Sequence, residues 1–226
     1  MKDLVIVGDG EFAEIAYEYF TFDSDYEVVG FVVEREYMTK DQLFGKPVTA
    51  FEDILDNYPP AQVKLFTAIT FTKFNRVRMR LYSKCKEMGY SFANYVSSRA
   101  FVWRNVKIGE NTFIFEDNTI QYNVEIGNNV VLWSGNHIGH RTRINDNCFL
   151  TSHVVVSGYC NIGENSFIGV NATIGDFVEI PKDSLIAAGA VIVKSLTTPG
   201  LIYMGNPAKP TEKTVYEKFG IGDEGE

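Results

Sequence analysis

A single period runs through the second half of this sequence. Every sixth residue from residue 108 to residue 192 is isoleucine, leucine or valine. This recurrence predicts a hexapeptide β-helix, in which each repeat is a short strand and a turn that bury their apolar side by stacking on neighbouring repeats. A sandwich or barrel would instead alternate apolar and polar residues and turn about every eight to twelve residues. The aliphatic positions are Ile108, Ile114, Ile120, Ile126, Leu132, Ile138, Ile144, Leu150, Val156, Ile162, Ile168, Ile174, Ile180, Ile186 and Ile192.

The residues between these positions fit the same repeat. The aliphatic residue is often followed by glycine and then by polar residues such as Asn111 and Asn129, which are typical of tight turns. Four residues after most aliphatic positions stands a small or β-branched residue, which suits a short strand with one large and one small inward side chain. These second positions are Thr112, Val124, Val130, Thr142, Cys148, Val154, Cys160, Ser166, Ala172, Val178, Ser184 and Ala190.

The pattern resembles the left-handed parallel β-helix, which implies a triangular coil made of three hexapeptides. Residues one coil apart would then stack at roughly 4.8 Å, the spacing of neighbouring strands. The stacking places Tyr122, His140 and Gly158 in one column at a corner, and Val155 over His137 on a strand. We therefore predict an all-β domain over residues 96–213, followed by a C-terminal tail over residues 214–226.

The residues before the repeat have the pattern of an α/β domain, residues 1–95, which we predict to be Rossmann-like. Buried strands alternate with amphipathic helices, as expected for βαβ units and a parallel sheet. The predicted elements are strands at 4–8, 26–34 and 63–70 and helices at 8–20 and 76–89.

The first strand-to-helix turn carries part of a dinucleotide-binding fingerprint. Gly8 and Gly10 form a G-x-G, Ala13 stands where a third glycine is usual, and Glu34 follows the second strand. Glycines let backbone amides approach a diphosphate at a helix N-terminus, and an acidic side chain after the second strand can accept a hydrogen bond from a ribose or base. A three-stranded sheet is small for NAD, so a nucleotide diphosphate-sugar is the expected ligand. A purely structural tight turn is the alternative.

Charge and cysteine content limit the class of partner. The formal net charge is -8, which disfavours nucleic acid and anionic membranes because basic residues must dominate surfaces that bind them. The three cysteines show no CxxC spacing and the short apolar N-terminal run is no signal or membrane segment, so a cytoplasmic protein is expected.

The two predicted domains and the stretch YMGNPAKP (203–210) together resemble the bacterial sialic-acid and nucleotide-sugar acetyltransferases of the NeuD and PglD type. The resemblance implies a homotrimer, acetyl-CoA bound along the β-helix between neighbouring subunits, and a nucleotide sugar held by the N-terminal domain. It also implies one histidine that acts as a base, and a role in surface-polysaccharide or glycan assembly.

The family's functional residues fall on particular positions of this sequence. The catalytic histidine matches His140, while Gly139 stands where an acid is frequent and Phe149 where a second histidine is frequent, so the partner that orients His140 is an open question. The acetyl-CoA contacts implied by the resemblance are Gly158, Val170, Ala188 and Lys209. The implied nucleotide-sugar contacts are Gly10, Glu11, Phe12, Glu34 and Thr70.

The three histidines of the chain, His137, His140 and His153, allow several readings. As a general base, His140 would take a proton from a sugar amine that attacks acetyl-CoA directly, with backbone amides such as that of Gly158 stabilising the oxyanion. His137 and His153 are candidates for a supporting role. No metal site is expected, because residues three apart on extended backbone do not point at one ion. Acetylation of a sugar hydroxyl and a non-catalytic β-helix scaffold remain alternatives.

Overall fold

The computed structural model describes residues 2–222 of the chain. Its N-terminal part contains β1 (Lys2–Val7), α1 (Glu11–Phe22), β2 (Tyr26–Val33), β3 (Gln42–Leu43), β4 (Lys46–Ala50), α2 (Ile54–Asn57), β5 (Lys64–Thr67) and α3 (Arg76–Glu87). These strands form one sheet in the order β3-β4-β2-β1-β5. Neighbouring strands are parallel except at the β3 edge, which pairs antiparallel with β4.

The sheet is larger than the sequence suggested. The prediction of three strands is wrong, because β3 and β4 extend the sheet beyond β2. The two strands escape pattern reading because β3 has two residues and β4 contains Pro47, so neither shows an alternating apolar run. The argument from a small sheet against a dinucleotide therefore no longer holds, and the choice of ligand rests on other features.

Helix α1 packs on the sheet through an apolar stripe. Phe12, Ala13, Ala16 and Phe20 are buried, with the spacing of about three to four residues that places side chains on one helical face. Ala13, which stands where a third fingerprint glycine is usual, is fully buried. A small side chain here lets the helix lie close to β1 at the edge of the predicted ligand site.

The remaining chain is a parallel β-helix of two-residue strands. They are β6 (Tyr95–Val96), β7 (Phe101–Val102), β8 (Lys107–Ile108), β9 (Phe113–Ile114), β10 (Thr119–Ile120), β11 (Glu125–Ile126), β12 (Val131–Leu132), β13 (His137–Ile138), β14 (Arg143–Ile144), β15 (Phe149–Leu150), β16 (Val155–Val156), β17 (Asn161–Ile162), β18 (Phe167–Ile168), β19 (Thr173–Ile174), β20 (Glu179–Ile180), β21 (Leu185–Ile186) and β22 (Val191–Ile192). Each pairs with the strand one coil away, for example His137 with Val155.

The interior of the β-helix follows the predicted repeat. The aliphatic positions from Ile114 to Ile192 are buried, as are all the small and β-branched second positions. Asn118 and Asn136 occupy two further second positions, and their buried side-chain amides donate to backbone carbonyls at the same corner. Every coil thus contributes one large and one small inward side chain per strand, as the hexapeptide pattern predicted.

The three sides of the β-helix carry different outward residues. We call them the docked face (β6, β9, β12, β15, β18, β21), the charged face (β8, β11, β14, β17, β20) and the bare face (β7, β10, β13, β16, β19, β22). On the docked face, Phe113 lies 5.5 Å from Phe12 between ring centroids, so the N-terminal domain covers this side. The outward residues of the bare face are Phe101, Thr119, His137, Val155, Thr173 and Val191.

A C-terminal hairpin and helix close the last coils. The hairpin consists of β23 (Leu201–Gly205) and β24 (Ala208–Thr214), and α4 (Val215–Phe219) follows it. Val215 is fully buried and Phe219 packs on Phe74, so residues predicted as a tail form a docked helix with a capping box at Thr214. The sequence reading missed α4 because its five residues show no helical period, and residues 223–226 of the predicted tail lie outside the described range. None of the helices in residues 2–222 is long and apolar enough to cross a membrane.

Candidate active site

A cavity of about 1090 Å³ lies where β1, β2 and β5 end in the N-terminal domain. Carboxyl ends of parallel strands are the usual ligand position in open α/β sheets. The five residues predicted to contact a nucleotide sugar all line this cavity: Gly10, Glu11, Phe12, Glu34 and Thr70. The sequence-derived set therefore converges on one concave site.

The two glycines that precede α1 differ in whether a side chain would fit at their position. Gly8 has a φ of 122°, and a Cβ on it would lie 2.9 Å from the carbonyl oxygen of Ala68, so only glycine fits the crossing of β1 and β5. A Cβ on Gly10 would meet open space, and this N-cap residue offers no side chain to the first-turn amides. The amides of Glu11 and Phe12 have no intrahelical acceptor, and both residues line the ligand-sized cavity, whereas the amide of Ala13 donates to the carbonyl of Gly10.

Two of the predicted contacts already have partners within the protein. Arg80 donates two hydrogen bonds to Glu34, at 2.6 and 2.8 Å, and these bonds hold the pKa of the Glu34 carboxyl below its usual range. A ligand that reaches Glu34 therefore meets an ion pair rather than a lone acid. The side chain of Phe12 packs in the core against Phe113 and Trp133, which leaves its backbone amide as the group nearest α1's free end.

Two buried arginines beside the cavity were missed by sequence reasoning. Arg76 lines the cavity and donates to Asp183 at 2.7 Å, with both side chains almost fully buried. Arg78 is fully buried beneath the cavity and donates to the carbonyl of Asn147 at 2.9 Å. Burial lowers the pKa of Arg78 to about 9, so the guanidinium is still charged at pH 7. Both side chains join α3 to the β-helix, and nothing in an RVR stretch on a basic helix distinguishes them from solvated arginines.

His140 lies at the corner of the β-helix that joins the bare face to the charged face, and its side chain is exposed. The backbone amide of His140 donates to Oε1 of Gln121 at 3.0 Å, and its carbonyl accepts from the amide of Tyr159 at 2.9 Å. Within residues 2–222 the imidazole ring has no hydrogen bond to a side chain or carbonyl. An exposed ring with both nitrogens unengaged can accept a proton from a bound substrate.

Gly158 lies one coil beyond His140, in the predicted column. A Cβ on Gly158 would come within 2.7 Å of Cε1 and 3.1 Å of both ring nitrogens of His140, so the imidazole lies directly over this glycine. The amide of Gly158 donates to Oδ1 of Asp176 at 3.0 Å. The role of this amide in stabilising an oxyanion stays a prediction, and it would require the exposed Asp176 side chain to move away. In this structure Gly158 provides the space in which the imidazole sits.

The other two histidines lie at different places. His137 is on the bare face, partly buried between Thr119 and Val155 in the strand register. His153 is exposed at the corner on the opposite edge of that face, over Gly135. The structure thus separates His153 from His140 by the width of the bare face within one chain. Among residues 2–222 no cluster of three histidine, cysteine or acidic side chains could hold a metal ion.

The predicted coenzyme contacts other than Gly158 are exposed surface residues. Val170 and Ala188 are exposed at the corner that carries His153, one coil apart. Lys209 is exposed on β24, in the hairpin formed by the GNPAK stretch. Within one chain, Gly158 lies at the edge of the bare face opposite to Val170 and Ala188.

The β-helix region matches the model of a known protein family. The bacterial transferase hexapeptide (six repeats) family matches residues 105–139, 123–158 and 159–194. None of the curated proteins compared with the sequence matches it. The family match covers the repeats that form the coils around His140, and the hexapeptide pattern read from the sequence is confirmed.

Three solved structures match nearly the whole chain. PerB from Caulobacter crescentus, in complex with CoA and GDP-perosamine, is 26% identical with a TM-score of 0.81 and covers 93% of this chain and 98% of its own. A mutant of perosamine N-acetyltransferase from the same organism, with the same ligands, is 25% identical with a TM-score of 0.83 over 94% and 98%. The acetyltransferase domain of PglB from Neisseria gonorrhoeae is 23% identical with a TM-score of 0.82 over 93% and 100%.

The similarity of these structures extends through both domains, whereas the repeat match alone would cover only the β-helix. The resemblance to sugar acetyltransferases inferred from the sequence is confirmed, and the predicted coenzyme is of the kind bound in these neighbours. Residues 105–194 thus match the bacterial transferase hexapeptide family, and nearly the whole chain resembles solved sugar acetyltransferases.

Proposed function

We propose that the chain is an acetyl-CoA-dependent N-acetyltransferase that acts on a nucleotide-linked amino sugar, with His140 as the general base. Two observations carry the proposal: a ligand-sized cavity at the strand ends of the N-terminal domain, and an exposed histidine over Gly158 whose ring has no hydrogen-bond partner among the described residues. The neighbours at 25% and 26% identity support the choice of ligands, because they bind CoA and GDP-perosamine.

The chemistry requires one base and no covalent enzyme intermediate. The amine nitrogen of the sugar attacks the thioester carbonyl carbon, the new C–N bond forms, and the C–S bond breaks as the tetrahedral intermediate collapses. His140 takes the proton that the amine loses, and the leaving thiolate of CoA receives a proton in turn. An imidazole suits this exchange because its ordinary pKa lies near neutral pH.

We place the complete site between copies of the chain. The bare face presents apolar and small side chains and has no lysine, arginine or carboxylate among its outward strand residues. An uncharged face of this kind is typical of the buried centre of a subunit interface. A trimer formed through this face would bring the exposed corner of Val170 and Ala188 on one subunit towards His140 of another, and acetyl-CoA would lie between them. Lys209 would meet its phosphates.

The nucleotide would occupy the cavity of the N-terminal domain. The free amides at the start of α1 suit a diphosphate, and the Glu34–Arg80 pair lies where a base or ribose would reach the end of β2. Thr70 lines the same wall and is hydrogen-bonded to Thr72. The product would be an N-acetylated sugar nucleotide for surface-polysaccharide or glycan assembly.

Thiol release from acetyl-CoA with a panel of nucleotide-linked amino sugars tests the proposal. We expect His140→Ala to lower kcat by about 100-fold or more, the usual contribution of a general base, while Asn161→Ala on the charged face leaves kcat unchanged. Hydroxylamine distinguishes the product, since it cleaves an O-acetyl ester and not an N-acetyl amide. Equal thiol release by His140→Ala and the unaltered protein with every acceptor would reject the proposal.

A further inference from the structure

The corner that carries His140 has an unusual row of side chains. Tyr122, Arg141, Tyr159 and Phe177 lie on successive coils, and we call them the aromatic ladder. The guanidinium carbon of Arg141 lies 5.5 Å from the ring centroid of Tyr122 and 5.8 Å from that of Tyr159. The rings of Tyr159 and Phe177 are stacked, with centroids 4.9 Å apart and planes at 16°.

The backbone under the ladder disfavours these residues. Residues at the turns of the β-helix recur with a φ near 60°, and the non-glycine residues there are asparagine or aspartate except at Arg141, His153, Tyr159 and Phe177. Asparagine and aspartate tolerate this left-handed conformation, whereas bulky side chains are strained in it. Three of the four exceptions belong to the ladder. Residues that oppose the local backbone preference are expected where a function requires their side chains.

The ladder touches the candidate base directly. The ring of Tyr159 meets the imidazole of His140 edge to face, with centroids 5.2 Å apart and planes at 80°. Gly158 lies against the imidazole and leaves just enough room for the ring. No carboxylate or carbonyl among the described residues is hydrogen-bonded to the imidazole, so Gly158 and Tyr159 are the groups that define where it lies.

We propose that Tyr159 is the positioning residue of His140, and that the aromatic ladder holds Tyr159 in place. This inference rests on the proposed function, since it assumes that His140 is the base. An edge-to-face aromatic contact shifts a rotamer equilibrium by roughly 2- to 10-fold. Arg141 and Phe177 stiffen Tyr159 on its two sides, so the contact is made by a side chain with little freedom of its own. The ring of Tyr159 thus provides the contact to the imidazole that no hydrogen-bonded acid provides among the described residues.

Replacing Tyr159 by asparagine distinguishes an effect on the position of the His140 imidazole from an effect on the stability of the fold. Tyr159→Asn supplies the residue that this turn prefers, so we expect the melting temperature to stay or to rise. The same change removes the ring, and we expect kcat to fall by about 2- to 10-fold, in line with the smaller population of the productive imidazole rotamer. The KM values for both substrates should stay near those of the unaltered protein, and Tyr159→Phe should restore kcat because it keeps the ring.

Proton NMR of the histidines provides a readout that is independent of activity. The chain has three histidines, so three Hε1 signals are expected, and His140→Ala identifies one of them. Loss of the Tyr159 ring current should move the His140 signal in Tyr159→Asn, whereas the signals of His137 and His153 stay in place. Tyr159→Phe should keep the original shift.

The possible results separate the two proposals. A moved His140 signal with reduced kcat supports the positioning role. An unmoved His140 signal overturns the positioning role. A raised KM with unchanged kcat also overturns it, because the ladder would then be a substrate-binding surface. If His140→Ala is fully active, the proposed function fails, and the NMR shift still decides whether the ring of Tyr159 lies against the imidazole.

Discussion

The charged face and the bare face of the β-helix are built from the same repeat and differ only in what points outward. Both have isoleucine or valine directed inward at the end of each strand, with the aliphatic side chains buried in one continuous core. Outward on the charged face, Lys107 and Arg143 donate to the two carboxylate oxygens of Glu125. Outward on the bare face, Val155 and Phe101 are exposed. The inward residues define the coil, and the outward residues define what can cover each side.

The largest effect is expected from a charge on the bare face. In Val155→Asp each subunit would bring a carboxylate into the buried interface, which should weaken assembly strongly because desolvation of a charge costs several kcal/mol. We expect analytical ultracentrifugation to find monomers and thiol-release assays to find little activity, while circular dichroism still reports β structure. Asn161→Asp also introduces a carboxylate, but on the charged face, and should leave assembly intact. A Val155→Asp protein that sediments as a trimer would contradict the assignment of this face.

A smaller effect, equal on both faces, is expected for the interior. Ile138 ends a strand of the bare face and Ile144 a strand of the charged face, and both are fully buried. Truncation of either to alanine should lower the free energy of unfolding by about 3 kcal/mol, because lost burial and a residual cavity both contribute. Urea unfolding at several protein concentrations separates this loss from changes in assembly. Markedly unequal losses would mean that the two sides differ inside as well as outside.

The smallest effect is expected for the ion pairs of the charged face. Hydrogen bonds from Lys107 and Arg143 hold the pKa of Glu125 below its usual value. A lowered pKa stabilises the folded state above the unfolded carboxyl's pKa, and the gain disappears as the pH falls through the folded value. Glu125→Gln should therefore lower the melting temperature slightly at pH 7, and this difference should shrink as the pH falls below 4.5. The difference should also vanish in high salt, since the pair is exposed. A salt-independent difference would indicate another cause.

The parts that sequence reasoning predicted well are those encoded by repetition. Fifteen aliphatic positions in one phase leave a single register, so the column of Tyr122, His140 and Gly158 could be written down before any coordinates. The cavity residues were found because strand ends in an α/β sheet meet at one edge. Strand β4 and helix α4 were missed because short elements carry no measurable period.

The contacts that sequence reasoning could not supply join residues far apart in the chain. The carboxylate of Asp176 accepts a hydrogen bond from the amide of Gly158. Arg80 forms an ion pair with Glu34, and Arg76 forms one with Asp183 across the domain boundary. Each is one polar side chain among several of its type, and only packing decides which acceptor it meets. The ladder had a signal that could have been read: Arg141, Tyr159 and Phe177 stand where the turn usually has asparagine.

The sequence by itself determined the β-helix, the order of its faces and the corner on which His140 lies. These properties follow from a period of six, because a side chain's direction in a strand is set by its place in the repeat. Only the tertiary structure decided how His140 is held, because that depends on the distance between rings on adjacent coils and on which amides are already bonded. Periodicity specifies directions along one chain, whereas the partner of a side chain depends on the side chains that packing places within a few ångströms.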